Sequence, residues 1–240
     1  MKITDNHRLS YSVVDNGDTA LTIIFDEPCS EALTRKIVTV QQLIKNSIGS
    51  NCFDIIPAYQ SITLIFDLLK TSKNEFKDEL LKILEQPIEP SSYLSKLIEI
   101  PVCYDSEYAL DLAELANYCN ISEQQVITAH TSKIYLVHML GFLPGFLYLG
   151  GLSSQLYCPR KNTPATRIPA GSVAIGGDQT GIYPVESPGG WHIIGRTPLP
   201  MFDSTKNNPA IASPLDEIKF IAIGQSEFLE LQKQYKEANR

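Results

Sequence analysis

The sequence predicts an α+β protein of two domains, a helix-covered antiparallel sheet followed by a small, strongly bent β structure. In the first 89 residues, apolar periodicities follow the order β-β-α-β-β-α, which is typical of an α+β sandwich of ferredoxin-like type. The segment Gly141–Asp203 holds 11 of the 14 glycines and the only tryptophan. Its glycines and prolines separate short apolar runs, a pattern that indicates tight turns joining short strands.

The N-terminal domain opens with two short strands, His7–Val14 and Ala20–Phe25, around a polar turn. A helix follows Ser30, whose side chain can cap it, because apolar residues then recur at spacings of three and four. This apolar face comprises Leu33, Ile37, Val40 and Ile44.

A hairpin and a second helix complete this domain. The β-branched runs Phe53–Ile56 and Ile62–Phe66 predict the hairpin. The second helix starts after Ser72, and its buried face is formed by Phe76, Leu80, Ile83 and Leu84. The polar, proline-containing stretch Glu85–Ser92 predicts a linker, so we place the domains at residues 1–89 and 90–240.

The second domain begins with a strand, Leu97–Tyr104, whose Pro101 predicts an edge or a bulge. Helices are expected at Tyr108–Cys119, capped by Asp105 or Ser106, and at Glu123–Thr131, capped by a Ser122/Gln125 capping box. The remaining elements are strands at Lys133–Leu140 and Lys219–Ile223, several strands in the glycine-rich segment, and a helix at Ser226–Glu237.

Composition excludes several classes of function. With 43% hydrophobic and 20% charged residues, the 240-residue chain is expected to be soluble and globular, and its net charge of −7 argues against a general nucleic-acid or anionic-membrane surface. It has no apolar run of membrane-spanning length and no signal-peptide pattern, which predicts a cytoplasmic protein. Five widely spaced cysteines without a CxxC pair predict reduced thiols rather than a disulfide framework or a zinc site.

Single nucleophiles and bases remain open to two interpretations. His130, near a helix end, is either an anion ligand or base, or a structural histidine, and His192 beside Trp191 is similarly ambiguous. His138 in an apolar strand fits the core better, and Cys158 has no base paired with it. No histidines share metal-ligand spacing, so no metal is predicted, and no P-loop is present.

Three arginines in turns, Arg160, Arg167 and Arg196, are the strongest binding candidates. An arginine fork binds carboxylate or phosphate through two hydrogen bonds, although the same side chains can instead tie loops through backbone carbonyls. Neutral groups nearby could complete a cleft for a small amide or acid. These are Gln179, Thr180, Tyr183, Ser187 and the backbone N–H groups of Gly176, Gly177, Gly189 and Gly190. Glu186 is a candidate for proton transfer or a solvated turn carboxylate.

The chain resembles the family that contains the sporulation kinase inhibitor KipI, the B subunit of bacterial 5-oxoprolinase (PxpB), and proteins labelled allophanate hydrolase subunit 1. The resemblance is carried by His130–Thr131, Gly141–Leu152 (GFLPGFLYLGGL), Pro159–Arg160, Arg167–Pro184 and Ser187–Asp203 (SPGGWHIIGRTPLPMFD), with Ile55–Asp67 in the first domain. One departure is that Pro164 is followed by Ala165 where the family usually has a second Pro-Arg pair, which weakens a pocket built on two such arginines.

The resemblance implies a cyclophilin-like β-barrel for the second domain and a role as the B subunit of an ATP-dependent 5-oxoprolinase. That enzyme opens 5-oxoproline to L-glutamate together with its A and C subunits, and the complex binds ATP at a site not assigned to this chain. Two alternatives stay open. One is a KipI-like inhibitor that docks on a sensor histidine kinase, and the other is a component acting on urea-derived amides, as in allophanate metabolism.

Residue roles follow from the motifs and the resemblance together. Catalytic roles are expected for Arg167, Gln179, Arg196 and His130. Substrate-binding roles are expected for Arg160, Ser172, Thr180, Tyr183, Ser187, Gly189, Gly190 and Trp191.

Overall fold

The computed structural model describes residues 10–87 and 93–238, and the chain divides between Leu94 and Ser95 into two compact units. The boundary expected between residues 89 and 90 falls among residues 88–92, which lie outside the described residues, as does the start of the strand expected at His7. Each unit has its own apolar core.

The elements of the first unit are β1 (Tyr11–Asp15), β2 (Ala20–Phe25), α1 (Glu31–Ile48), β3 (Cys52–Pro57), β4 (Ser61–Phe66) and α2 (Lys73–Leu84). The strands form an antiparallel sheet in the order β1-β2-β4-β3, with the two helices packed on its apolar face. The ββαββα order is the ferredoxin-like βαββαβ order with its last strand moved to the front. The prediction of an α+β sandwich is therefore confirmed.

The helix starts follow the predicted caps. The Ser30 side chain accepts a hydrogen bond from the Leu33 N–H at 3.2 Å, and Ser72 and Glu75 form a reciprocal capping box. In the second unit Ser122 and Gln125 form another, at the start of the helix Glu123–Thr131. These bonds satisfy N–H groups that a helix start leaves without a partner, which is why local sequence locates the starts.

The second unit contains nine strands: β5 (Leu97–Cys103), β6 (Ile134–Leu140), β7 (Leu147–Gly150), β8 (Ala165–Ile168), β9 (Ser172–Gly176), β10 (Gln179–Ile182), β11 (Ser187–Gly189), β12 (His192–Arg196) and β13 (Glu217–Ile223) in its described residues. Seven of them close into a barrel in the order β10-β7-β6-β13-β5-β12-β9, and β8 and β11 pair separately as a two-stranded sheet. The helices are α3 (Leu112–Cys119), α4 (Glu123–Thr131) and α5 (Gln225–Ala238).

Strand β13 lies between β5 and β6, pairing parallel to β5 along its whole length and antiparallel to β6. On its other side, β5 pairs with β12 only at Cys103. Pro101 therefore lies where β5 has little pairing on that flank, as expected for a proline in a strand.

The predicted start of the third helix at Tyr108 is wrong, because the helix begins at Leu112. The Asp105 carbonyl accepts bonds from the N–H groups of Tyr108 and Ala109 in a separate turn. Asp111 occupies the cap position, yet its carboxylate binds Lys161 and the Ile193 N–H instead of the helix. The Asp111 N–H also donates to the Ile193 carbonyl at 2.8 Å instead of to a helical partner, so this tertiary contact excludes the residues before Leu112 from the helix.

Candidate functional site

A cleft of about 320 Å³ opens on the second unit, and we call it the aromatic cleft. Its walls carry the rings of Phe142, Phe146, Tyr148, Tyr183 and Trp191. Two cations, Arg160 and Lys161, form its charged edge, and Pro164, Pro188, Gly189 and Gly190 supply backbone-rich surface. Apolar walls with few polar groups are the usual composition of a small-molecule site.

Glycines on two neighbouring barrel strands make room for the indole ring of Trp191. A β-carbon at Gly176 would lie 2.6 Å from the ring, and one at Gly181 would lie 3.0 Å from it. The Phe146 ring meets the Trp191 ring edge-on at a centroid distance of 5.6 Å and the Tyr183 ring at 5.1 Å. These contacts hold the aromatic wall in one arrangement before any ligand arrives.

Two phenols of the cleft remain neutral hydrogen-bonding groups at ordinary pH. Burial raises the pKa of Tyr183, and it also raises the pKa of Tyr148. The backbone of Trp191 partly offsets this rise in the Tyr183 pKa, and the neutral Tyr183 hydroxyl can donate its hydrogen to a ligand.

The two cations of the charged edge are held in different ways. The Arg160 guanidinium lies over the Trp191 ring, 5.7 Å from its centroid, a cation–π distance. The Lys161 ammonium binds the Asp111 carboxylate and approaches Glu114 at 3.5 Å. The hydrogen bond to Asp111, more than any other influence, raises the pKa of Lys161 and keeps it charged.

Asp111 links three parts of the site at once. Its second carboxylate oxygen accepts the Ile193 N–H at 2.8 Å, and its own N–H donates to the Ile193 carbonyl at 2.8 Å. The Lys161 N–H donates to the Gly190 carbonyl at 2.7 Å. Helix α3, strand β12 and the Arg160–Lys161 loop are therefore held together at the cleft.

The structure places five of the residues expected from sequence in the aromatic cleft. They are Arg160, Tyr183, Gly189, Gly190 and Trp191. Sequence reasoning missed Lys161, Pro164 and Pro188, and it missed the rings of Phe142, Phe146 and Tyr148. The signal that could have found the rings was the density of aromatic residues in the motif Gly141–Leu152.

The other expected residues lie elsewhere. Arg167 is exposed on β8 and forms an ion pair with Glu186 at 2.8 Å. The Arg196 Nε donates to the Ala170 carbonyl at 2.7 Å, and the Arg196 side chain lines a second cavity. The Ser172 hydroxyl donates to the Pro169 carbonyl, and Gln179 begins β10. The buried Ser187 hydroxyl has no hydrogen-bond partner within the described part of the chain.

His130 lies in the barrel interior rather than in the cleft. Its ring is fully buried, stacks on Phe220 at 4.4 Å, and bonds Tyr104 at 2.8 Å and Thr180 at 3.0 Å. Thr180 extends this hydrogen-bonded chain by donating to the Ala174 carbonyl at 3.0 Å. Burial lowers the pKa of His130 to about 3, so the ring is neutral and serves the chain of hydrogen bonds.

Residues 10–87 and 93–238 contain no group of three or more His, Cys, Asp or Glu side chains that could hold a metal ion. His192 bonds the Pro159 carbonyl through Nε2 at 3.0 Å, while its Nδ1 lies 4.0 Å from Glu114.

No helix within residues 10–87 and 93–238 is long and apolar enough to cross a membrane.

Comparison with protein families places this geometry in a known group. The chain matches the family model "Carboxyltransferase domain, subdomain C and D" over residues 11–212. It is 36% identical to the 5-oxoprolinase B subunit of Bacillus subtilis, covering 91% of this chain and 95% of that protein. It is 38% identical to the 5-oxoprolinase B subunit of Escherichia coli O157:H7, covering 85% of this chain and 93% of the relative.

Solved structures share the fold. The structure of TTHA0988 superposes with a TM-score of 0.75 at 32% identity, over 85% of this chain but only 40% of the longer TTHA0988 chain. A conserved uncharacterised protein from Pyrococcus horikoshii, 37% identical, matches over 90% of this chain and all of its own, with a TM-score of 0.54. The urea amidolyase of K. lactis, at 19% identity and a TM-score of 0.78, shows likeness of fold alone, and this chain covers 16% of it.

Proposed function

The chain belongs to the carboxyltransferase subdomain C and D family, in which its relatives include the B subunits of 5-oxoprolinase, and from this premise we propose that it is the B subunit of an ATP-dependent 5-oxoprolinase. In that role it acts with the A and C subunits to open 5-oxoproline to L-glutamate. The observation that carries the proposal is similarity over most of the chain to two such B subunits, at 36% and 38% identity, in a chain with a preformed aromatic cleft.

The cleft suits a small cyclic amide with a carboxylate. The flat lactam ring would pack against the Trp191 and Phe146 rings, with its carboxylate toward Arg160 and Lys161. The Tyr183 hydroxyl is available to donate toward the lactam carbonyl. Cations and donors fixed in place before binding are the arrangement that stabilises developing negative charge.

An unstrained amide is a poor electrophile, so ATP would activate it by phosphorylating the lactam oxygen before water attacks the carbonyl carbon. The products of the coupled reaction are then L-glutamate, ADP and phosphate. The sequence has no P-loop, so we assign ATP binding to the complex and to this chain only the holding of substrate.

The purified chain alone is expected to release no glutamate from 5-oxoproline, and activity is expected to appear when the A and C subunits are added with ATP. The reason is that the cleft offers binding groups but no nucleotide motif. Glutamate release would be measured for the chain alone, each pair and the full set, with and without ATP. ATP-dependent turnover by the isolated chain would contradict the proposal.

Arg160→Gln in the reconstituted complex is expected to raise the KM for 5-oxoproline about tenfold or more, because losing a charged hydrogen-bonding partner costs about 1.5–3 kcal/mol. Steady-state kinetics of the variant give the measurement. Arg35→Gln is the matched control, since Arg35 pairs with Glu31 within α1 of the first unit. Equal KM values for both variants and the unaltered complex would remove Arg160 from the substrate site.

A further inference from the structure

A second cavity of about 410 Å³ lies on the second unit, between the segment after β12 and helix α5, and we call it the α5 cavity. It shares no lining residue with the aromatic cleft. Arg196 and Lys236 both line it, and none of its described lining residues is acidic. The cavity is therefore locally positive on a chain whose net charge is −7, which favours an anionic ligand.

One wall of this cavity is rigid. The Arg196 Nε is fixed on the Ala170 carbonyl at 2.7 Å, which orients the guanidinium and leaves its two terminal nitrogens as further donors. The backbone at Thr197 packs directly against the backbone at Gly171. The Thr197 N–H donates to the Gly171 carbonyl at 2.9 Å, and Gly171 adopts a φ of +81°. A side chain at Gly171 would collide with the Thr197 carbonyl oxygen, so the wall has room only for glycine there.

The opposite wall is a face of α5. Gln232, Tyr235 and Lys236 recur at spacings of three and four residues and so lie together on the helix surface. The Lys236 ammonium donates to the side-chain oxygen of Gln232 at 3.5 Å, which is long for a hydrogen bond. This weak contact leaves the ammonium able to bind another group. Leu199 and Phe202 add apolar surface between the two walls.

We propose that the α5 cavity binds a small organic acid, with its carboxylate or phosphate between Arg196 and Lys236 and its apolar part against Leu199 and Phe202. The arrangement combines a positioned arginine fork, a flexible second cation and a modest apolar surface. The sequence suggested one arginine-lined cleft, whereas the structure separates Arg160 and Arg196 into two cavities. The inference does not rest on the proposed function.

Binding would be tested on the full-length chain by calorimetry and by chemical-shift changes, using L-glutamate, 5-oxoproline, inorganic phosphate and AMP as separate probes. At least one probe with an organic body is expected to bind saturably with a dissociation constant of about 1 mM or tighter. Inorganic phosphate is expected to bind more weakly than that probe, because it lacks the apolar part. Tighter binding of the carboxylate probes than of AMP would identify a carboxylate as the preferred head group, and the reverse order would identify a phosphate.

Arg196→Gln and Lys236→Gln are each expected to weaken this binding, by about tenfold and by about threefold, because Lys236 is the more exposed cation. Lys236→Gln also guards against a folding artefact, since the Lys236 side chain is exposed. Lys233→Gln is the matched control on α5, because Lys233 pairs with Glu237 and does not line the cavity.

Arg160→Gln separates the two cavities, since it removes a cation from the aromatic cleft only. Affinity that falls in Lys236→Gln and Arg196→Gln but holds in Lys233→Gln and Arg160→Gln supports the α5 site. Absence of saturable binding by every probe, or affinity unaffected by Lys236→Gln and Arg196→Gln, overturns it. A probe whose binding is lost only in Arg160→Gln is bound by the aromatic cleft, and the inference is overturned if every probe that binds behaves in this way.

Discussion

Replacing Asp111 with asparagine is expected to lower the free energy of unfolding of the second unit by about 2–3 kcal/mol. Breaking a buried ion pair typically costs about 3–5 kcal/mol, and we reduce that figure because both partners keep some exposure. The Asp111 and Lys161 side chains are 13% and 22% exposed. An asparagine oxygen can still accept the Ile193 N–H, so the loss should come mainly from the Lys161 pair.

Urea titration followed by Trp191 fluorescence would measure this change, because Trp191 is the only tryptophan and lies in the second unit. Asp203→Asn is the matched control, since the Asp203 carboxylate accepts hydrogen bonds from Thr205 and pairs with Lys206, both of which lie within three residues of it. In a double-mutant cycle, Lys161→Gln should add little to Asp111→Asn. Independent, additive losses would mean that the pair does not hold the cleft together.

Lowering the pH from 7 to 5 is expected to cost the second unit about 2 kcal/mol through His130. Burial lowers the pKa of His130 to about 3, against 6.5 for an unperturbed histidine. Between these values the unfolded chain takes up a proton that the folded chain refuses, so stability falls as the pH drops below about 6.5. The loss should stop growing once the pH passes below about 3, where the folded chain also takes up the proton.

The His130→Gln variant isolates this effect, because glutamine keeps a donor and an acceptor for the chain between Tyr104 and Thr180 but does not titrate. Free energies of unfolding at several pH values would be compared between the variant and the unaltered protein. Between pH 7 and pH 5 the unaltered protein should lose about 2 kcal/mol more than the variant. A difference that stays constant from pH 7 to pH 5 would show that His130 does not control acid stability.

The first unit could be predicted from sequence because its information is local. The apolar spacing after Ser30 and the Ser72/Glu75 capping box both act within a single helix. The start of helix α3 was misplaced because the Asp111 N–H donates to the Ile193 carbonyl, 82 residues away in sequence. A partner that distant leaves no trace in local spacing.

Only some of the residues expected in the cleft line it, because residues that are close in sequence can lie on different faces or at opposite ends of a strand. Trp191 precedes β12 and Arg196 ends it, and five residues of strand span about 16 Å, which places their side chains at opposite ends. Arg167 belongs to the separate two-stranded sheet of β8 and β11. The expected catalytic roles of Arg167, Gln179, Arg196 and His130 stay predictions, although the position of His130 favours a structural role.

The placement of β13 between β5 and β6 has a consequence for synthesis on the ribosome. The chain emerges N-terminus first, so the first unit can complete its sheet while residues beyond 94 are still being made. Strands β5 and β6, in contrast, expose unpaired edges until Glu217–Ile223 leaves the exit tunnel. The nascent barrel is therefore most prone to aggregation late in translation, and C-terminal truncations that remove β13 should accumulate in inclusion bodies.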